Sequence, residues 1–225
     1  MNWERISVKR KAIRKQEREV KPYCHTWSVV RRLSKRIEDE ERGYFHDMIP
    51  CLMFCALTIE AYSNHIGCKK FKHWDILESL SPLDKLTVIG ENIEVDIDYG
   101  RRPFQTLKEL FNFRNEIAHG KTMFLNPETE ISIEEAEKDK DDHFTPRPET
   151  KWEKYCRVQN VHRAIEDVEK VIKLIHDKAG IEGDYLFIEG GWITNTTWQS
   201  VVALKDVFTP AHDQTENPNP PSNPN

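Results

Sequence analysis

Arg114, Asn115, His119 and Lys121 fall within the stretch NFRNEIAHGK, residues 112 to 121. An arginine brings a planar fork of N–H donors that suits phosphate or carboxylate oxygens. Imidazole titrates near neutrality and moves protons, and a neighbouring amide can orient either group. Together these residue types could hold an anion and transfer a proton beside it. They fit a helix terminus equally well, because a histidine ahead of Gly120 complements the carbonyl end of a helix.

The surrounding residues place the stretch on an element. PFQTLKELFNFRNEIAHG reads as a helix with Pro103 at its start and Gly120 just past its end. At about 100° of rotation per residue, Leu107, Leu110, Phe111, Ile117 and Ala118 lie within about 60° of Arg114. The arginine therefore stands in the middle of the apolar face, where a leucine would cost less. Such a placement costs several kcal/mol unless acceptors meet the guanidinium. Asn115 and His119, four residues apart, occupy the adjoining flank. Two outcomes remain open: the three side chains converge on a groove at the edge of the stripe, or Arg114 pairs with Glu60 or another buried acid.

The clearest further helix is YCRVQNVHRAIEDVEKVIKLIHDKAG, where Val158, Val161, Ile165, Val168, Ile172 and Ile175 recur at spacings of three and four, with Gly180 as its cap. TWSVVRRLSKRIEDEER places Trp27, Val30, Leu33 and Ile37 on one face, and Gly43 suits its end. Asp47 reads as the N-cap of MIPCLMFCALTIEAYSNHIG, which tolerates Pro50 in its first turn and is apolar nearly all round. SPLDKLTVIGENI is a short helix started by Ser81 and Pro82. An acidic connection of about thirty residues separates the NFRNEIAHGK helix from the last one, a length expected of functional or mobile segments. Around Gly190 and Gly191, DYLFIEGGWITNTTW suggests a hairpin.

The expected fold is all-α: an antiparallel four-helix-type bundle over residues 26–180, preceded by a basic extension over 1–25. A small hairpin over 181–208 and a disordered Pro/Asn-rich tail over 209–225 follow.

The chain has 225 residues and a formal net charge of −5, so no global field draws it to nucleic acid. Its charge is uneven. Residues 5 to 21 carry Arg5, Lys9, Arg10, Lys11, Arg14, Lys15, Arg18 and Lys21 against Glu17 and Glu19. Residues 128 to 142 carry eight acidic side chains against Lys138 and Lys140. The basic segment either neutralises phosphates or forms a solvated helix end balanced by the acidic connection. Stacking aromatics are sparse within it. Arg101 and Arg102 lie a helix length from His119 and are weak contact candidates.

No apolar run approaches a membrane span, and the N-terminus lacks the apolar core of a secretory signal. A cytoplasmic protein is expected. Cys24, Cys51, Cys55, Cys68 and Cys156 read as reduced thiols, with Cys51 and Cys55 packed in the core rather than holding a metal. His65, His73, His162 and His176 show no convergent spacing and read as ordinary surface or packed residues.

The string RNEIAHG, an arginine followed by a polar residue and then a histidine near the end of a bundle helix, resembles the signature of the HEPN superfamily. LKELFNF before it, and ALTIEAYSNHIG with Glu60 and Asn64 one turn apart, also look like this family. The resemblance covers the helix order over roughly residues 26 to 178. It implies a four-helix bundle that pairs as a homodimer and acts as a metal-independent endoribonuclease, in phage defence or in a toxin–antitoxin pair with an antitoxin protein as partner. No cofactor is implied. His119 would take the proton of a 2′-hydroxyl, Arg114 would face the phosphate, and Asn115 would orient the histidine or hold a phosphate oxygen. Some toxin members carry a tyrosine where this chain has Lys121, which could supply a further phosphate contact. Members without activity serve as nucleotide- or RNA-binding or regulatory modules.

Overall fold

The computed structural model describes residues 9–39, 45–134, 147–182 and 184–201. Gly43, most of the acidic run and the Pro/Asn-rich tail lie outside the described residues. The chain divides into two units, Glu19–Gly190 on one hand and Met1–Arg18 with Gly191–Asn225 on the other. Seven helices are described in the larger unit: α1 (Pro22–Asp39), α2 (Phe45–Lys70), α3 (Trp74–Leu77), α4 (Pro82–Asn92), α5 (Phe104–Ala118), α6 (Lys151–Tyr155) and α7 (Val158–Ala179). The fold is mainly α-helical with one small two-stranded antiparallel sheet.

α2 is the centre of the larger unit, packed against α1, α4, α5 and α7. Its composition explains why: a helix apolar on all sides is stable only with neighbours around it. Cys51, Leu52, Cys55, Ala56, Tyr62 and Ile66 are fully buried. The Cys55 thiol is pushed well above its ordinary range, first by its hydrogen bond with Cys51 and then by burial. α2 begins at Phe45, so Asp47, expected as its N-cap, sits in the first turn instead and pairs with Arg36 at 3.0 Å.

The neighbours follow their stripes. Trp27, Val30 and Ile37 of α1 and Val161, Val168, Ile172 and Ile175 of α7 are buried. Gly180 adopts the left-handed conformation at φ 57° that ends α7. Ser81 caps α4 by accepting the Asp84 amide at 3.3 Å. The expected helix from Tyr155 onward is divided: α6 ends at Tyr155, and Arg157 is extended before α7 starts. The signal for α6 is a capping box in TKWE, in which Thr150 and Glu153 exchange side-chain-to-backbone bonds.

Asp167 of α7 joins that helix to the start of α5. It accepts Nε and Nη2 of Arg102 at 2.7 and 2.8 Å and the Thr106 hydroxyl at 2.6 Å. Its carboxylate is 1% exposed. Arg102 is thus committed to the fold. Asp167→Ala would leave the buried Thr106 hydroxyl without its acceptor and is expected to destabilise the protein by about 2 kcal/mol, measured as a lowered urea midpoint.

The smaller unit corrects two expectations. The basic segment is a strand, β1 (Lys9–Arg18), not a helix end. The segment after Gly191 is a strand, β2 (Trp192–Val201), as its β-branched and aromatic composition suggests. Its partner is β1, in antiparallel register from Lys9 with Val201 to Arg18 with Trp192, and not the residues before Gly190. Those residues are held by the larger unit: Asp184 bonds Lys21 and His65, and Phe187 stacks on Trp27 at 5.1 Å.

Candidate functional site

α5 carries the candidate residues because its first three turns bury Phe104, Leu107, Leu110, Phe111 and Phe113 and fix its rotation. Arg114 follows as the helix leaves the core. Ile117 is half-buried and Ala118 exposed, so the apolar face ends in this last turn and the guanidinium stands at its margin.

Arg114 donates from Nη2 to Oε2 of Glu60 on α2 at 2.6 Å and from Nη1 to Oδ1 of Asn115 at 3.0 Å. The Arg114 and Glu60 side chains are 23% and 26% exposed. The ion pair is therefore reached by solvent, and the guanidinium retains N–H donors beyond the two in use. Glu60 belongs to a polar flank of α2. One turn on, Asn64 accepts from Nζ of Lys85 on α4 at 3.1 Å. Lys85 is 3% exposed, and among the described residues no carboxylate lies within ion-pair distance of it. A lysine in a short amphipathic helix looks like a surface residue in the sequence, and so this buried cation was missed there.

His119 occupies the C-cap of α5. Its amide bonds the Asn115 carbonyl at 3.0 Å, and its backbone is already non-helical at φ −112° and ψ 19°. Gly120 follows, where a Cβ would come within 3.1 Å of the Glu116 carbonyl oxygen. The helix-end reading of this stretch is thus correct in its geometry. The His119 side chain is exposed and lines a groove of about 560 Å³ together with Glu116, Lys121, Met123, Leu125 and Trp152. The groove's far wall is the N-terminal turn of α6. Trp152 is half-buried and packs on Phe45 at 6.3 Å between ring centroids.

The structure distributes the four expected residues between two places. Arg114 and Asn115 bond each other, with Arg114 turned toward α2; His119 and Lys121 share the groove beside α6. About 140° of rotation around α5 separates Arg114 from His119. The side chains available for chemistry are then an imidazole in an open groove with an amphipathic wall, and a guanidinium around the helix whose position is held by a carboxylate.

A second polar cluster was not legible in the sequence. Asp184, with a side chain 1% exposed, accepts from Nζ of Lys21 and pairs with Nε2 of His65 at 2.6 Å. Burial alone would push the Asp184 carboxyl up. The hydrogen bonds from Lys21 and His65, with their charges, outweigh it and hold the carboxyl down at about 2. The three residues are 163 and 119 positions apart along the chain, too far for any spacing to reveal them.

Comparison with protein families, curated proteins and solved structures returned no match.

Proposed function

We propose that this protein is a metal-independent endoribonuclease of HEPN type, working as a homodimer of four-helix-bundle subunits in phage defence or as the toxin of a toxin–antitoxin pair. The observation that carries this reading is the Arg114–Asn115–His119 array on the last turns of α5. Its arginine is placed at the margin of the core by Glu60, and its histidine is open to a groove.

RNA supplies its own nucleophile, the 2′-hydroxyl beside each phosphate. The His119 imidazole takes the proton of that hydroxyl as its oxygen attacks phosphorus. The bond from phosphorus to the 5′-oxygen breaks, and the leaving oxygen takes a proton from an imidazolium or from water. The products are a 2′,3′-cyclic phosphate and a 5′-hydroxyl. Negative charge gathers on the phosphate oxygens as the pentacoordinate state forms, and the free donors of Arg114 are suited to meet it. Because Arg114 and His119 face different sides of one α5, a dimer that sets two α5 helices together lets one subunit supply the base and the other the cation.

The reading is tested by incubating the protein with total RNA in EDTA and analysing the new ends. Cleavage leaving 2′,3′-cyclic phosphates is expected; intact RNA would reject the proposal. Arg114→Lys keeps a positive charge that can still pair with Glu60, but a single ammonium cannot bond Glu60, Asn115 and a phosphate together. We expect cleavage to fall by roughly 10²-fold, with the thermal midpoint little changed.

A second reading is favoured by one observation, the Glu60 carboxylate at 2.6 Å from the guanidinium, since an arginine matched by an acid has less charge to offer a phosphate. On that reading the protein is a non-catalytic HEPN-like module that binds RNA or nucleotides, and it predicts binding without cleavage in the same assay.

A further inference from the structure

The strand pair holds features that neither strand has alone. β1 contains six lysines and arginines against Glu17, and no aromatic residue. β2 contains no charged residue, but has Trp192, Trp198 and three threonines. Pairing them joins a cationic strand to an aromatic and hydroxyl-bearing one. Residues directly opposite in an antiparallel pair lie on the same face. The register therefore sets Arg14, Gln16 and Arg18 on one face with Thr196, Thr194 and Trp192, and Ile13, Lys15 and Glu17 on the other with Thr197, Asn195 and Ile193. On the first face Gln16 donates to the Thr194 hydroxyl at 3.3 Å.

Both faces are open. Residues 12–18 and 192–197 are all exposed, with Trp192 at 74%, Ile193 at 62% and Ile13 at 43%. Among the described residues Arg14 and Lys15 form no ion pair, so their charge is unmatched. A lone two-stranded ribbon is marginal in water, and this one carries an exposed indole and a run of cations that no other described element covers. An apolar protein surface would cover the indole and strand the charges. A polyanion with planar bases matches both, because phosphates neutralise lysine and arginine while an unpaired base stacks on the indole.

We propose that the β1–β2 ribbon is an arm that binds single-stranded RNA, with Arg14 contacting a phosphate and Trp192 stacking on a base on one face, and Lys15 contacting a further phosphate from the other face. The choice of RNA over DNA rests on the ribonuclease reading above. The binding role itself rests on the ribbon alone.

The test uses the full chain carrying His119→Ala, so that binding is measured without cleavage, and a labelled unstructured RNA oligonucleotide titrated at several salt concentrations. Adding Arg14→Gln with Lys15→Gln is expected to weaken binding about tenfold or more at low salt and to flatten the slope of log affinity against log salt by ~1.4. Adding Trp192→Ala is expected to weaken binding about 5- to 150-fold with the slope unchanged, and Trp192→Phe to keep most of the affinity. Parental affinity and slope in both the Gln double variant and Trp192→Ala would overturn the proposal. So would a changed oligomeric state in these variants with RNA affinity unaltered, which would make the ribbon a contact between copies. Wild-type cleavage with ribbon-independent binding sinks the arm and leaves the nuclease standing. Ribbon-dependent binding by a wild type that cuts nothing does the reverse.

Discussion

His119→Ala is expected to lower EDTA-resistant RNA cleavage by about 10²- to 10⁴-fold, the range that removal of a positioned proton-transfer group produces. The side chain is exposed at the end of α5 and belongs to no buried cluster. Its loss should therefore leave the thermal midpoint within experimental scatter, and a fall in activity cannot be assigned to unfolding. RNA affinity should also persist, since the imidazole acts on a hydroxyl proton and carries little of the phosphate charge. His119→Gln sharpens the result: it retains hydrogen bonding at the groove but cannot accept and release a proton near neutrality, and should be as inactive as alanine. Cleavage at wild-type rate in either variant would remove His119 from the chemistry.

The largest effect on stability is expected from Asp184→Ala, which leaves Lys21 in a site where it is 4% exposed without its main counter-charge. Breaking one side of a buried pair costs about 3–5 kcal/mol, a fall in thermal midpoint on the order of 10 °C for a domain of this size. Asp184→Asn should recover part of this, since an amide oxygen still accepts from Lys21. The same carboxylate predicts an acid limb. Its folded pKa of about 2 lies below the ordinary value near 3.8, so the folded state binds fewer protons than the unfolded state between these two values. The resulting stabilisation, about 2 kcal/mol, is fully present above pH 4 and is lost as pH falls toward 2. Urea midpoints for wild type and Asp184→Asn should therefore converge as the pH drops from 5 to 2. A constant difference across that range would show that the carboxylate is not held in its charged form by Lys21 and His65.

The candidate site was legible in part. Arg114 is anomalous in the sequence because a period of 3.6 places it among apolar residues, and Glu60 is among the partners that anomaly calls for. The groove beside His119 was less visible. It depends on α6, whose capping box lies in TKWE but whose five residues are too short to show a hydrophobic stripe. Lys85 gave no warning, since only the packing of α4 on α2 buries it.

Helix α7, with its stripe and glycine cap, and helix α2, apolar all round, could be placed from residue order alone. Periodicity, capping and turn chemistry act within a few residues, and those few residues are contiguous in the chain. Contacts across the chain are another matter. Asp184 reaches Lys21 and His65, and β2 chooses β1 over its own neighbours, because folding brings those segments together and satisfies charges and backbone groups that no local pattern could match. Only this long-range pairing brings the cations of β1 beside the tryptophans of β2.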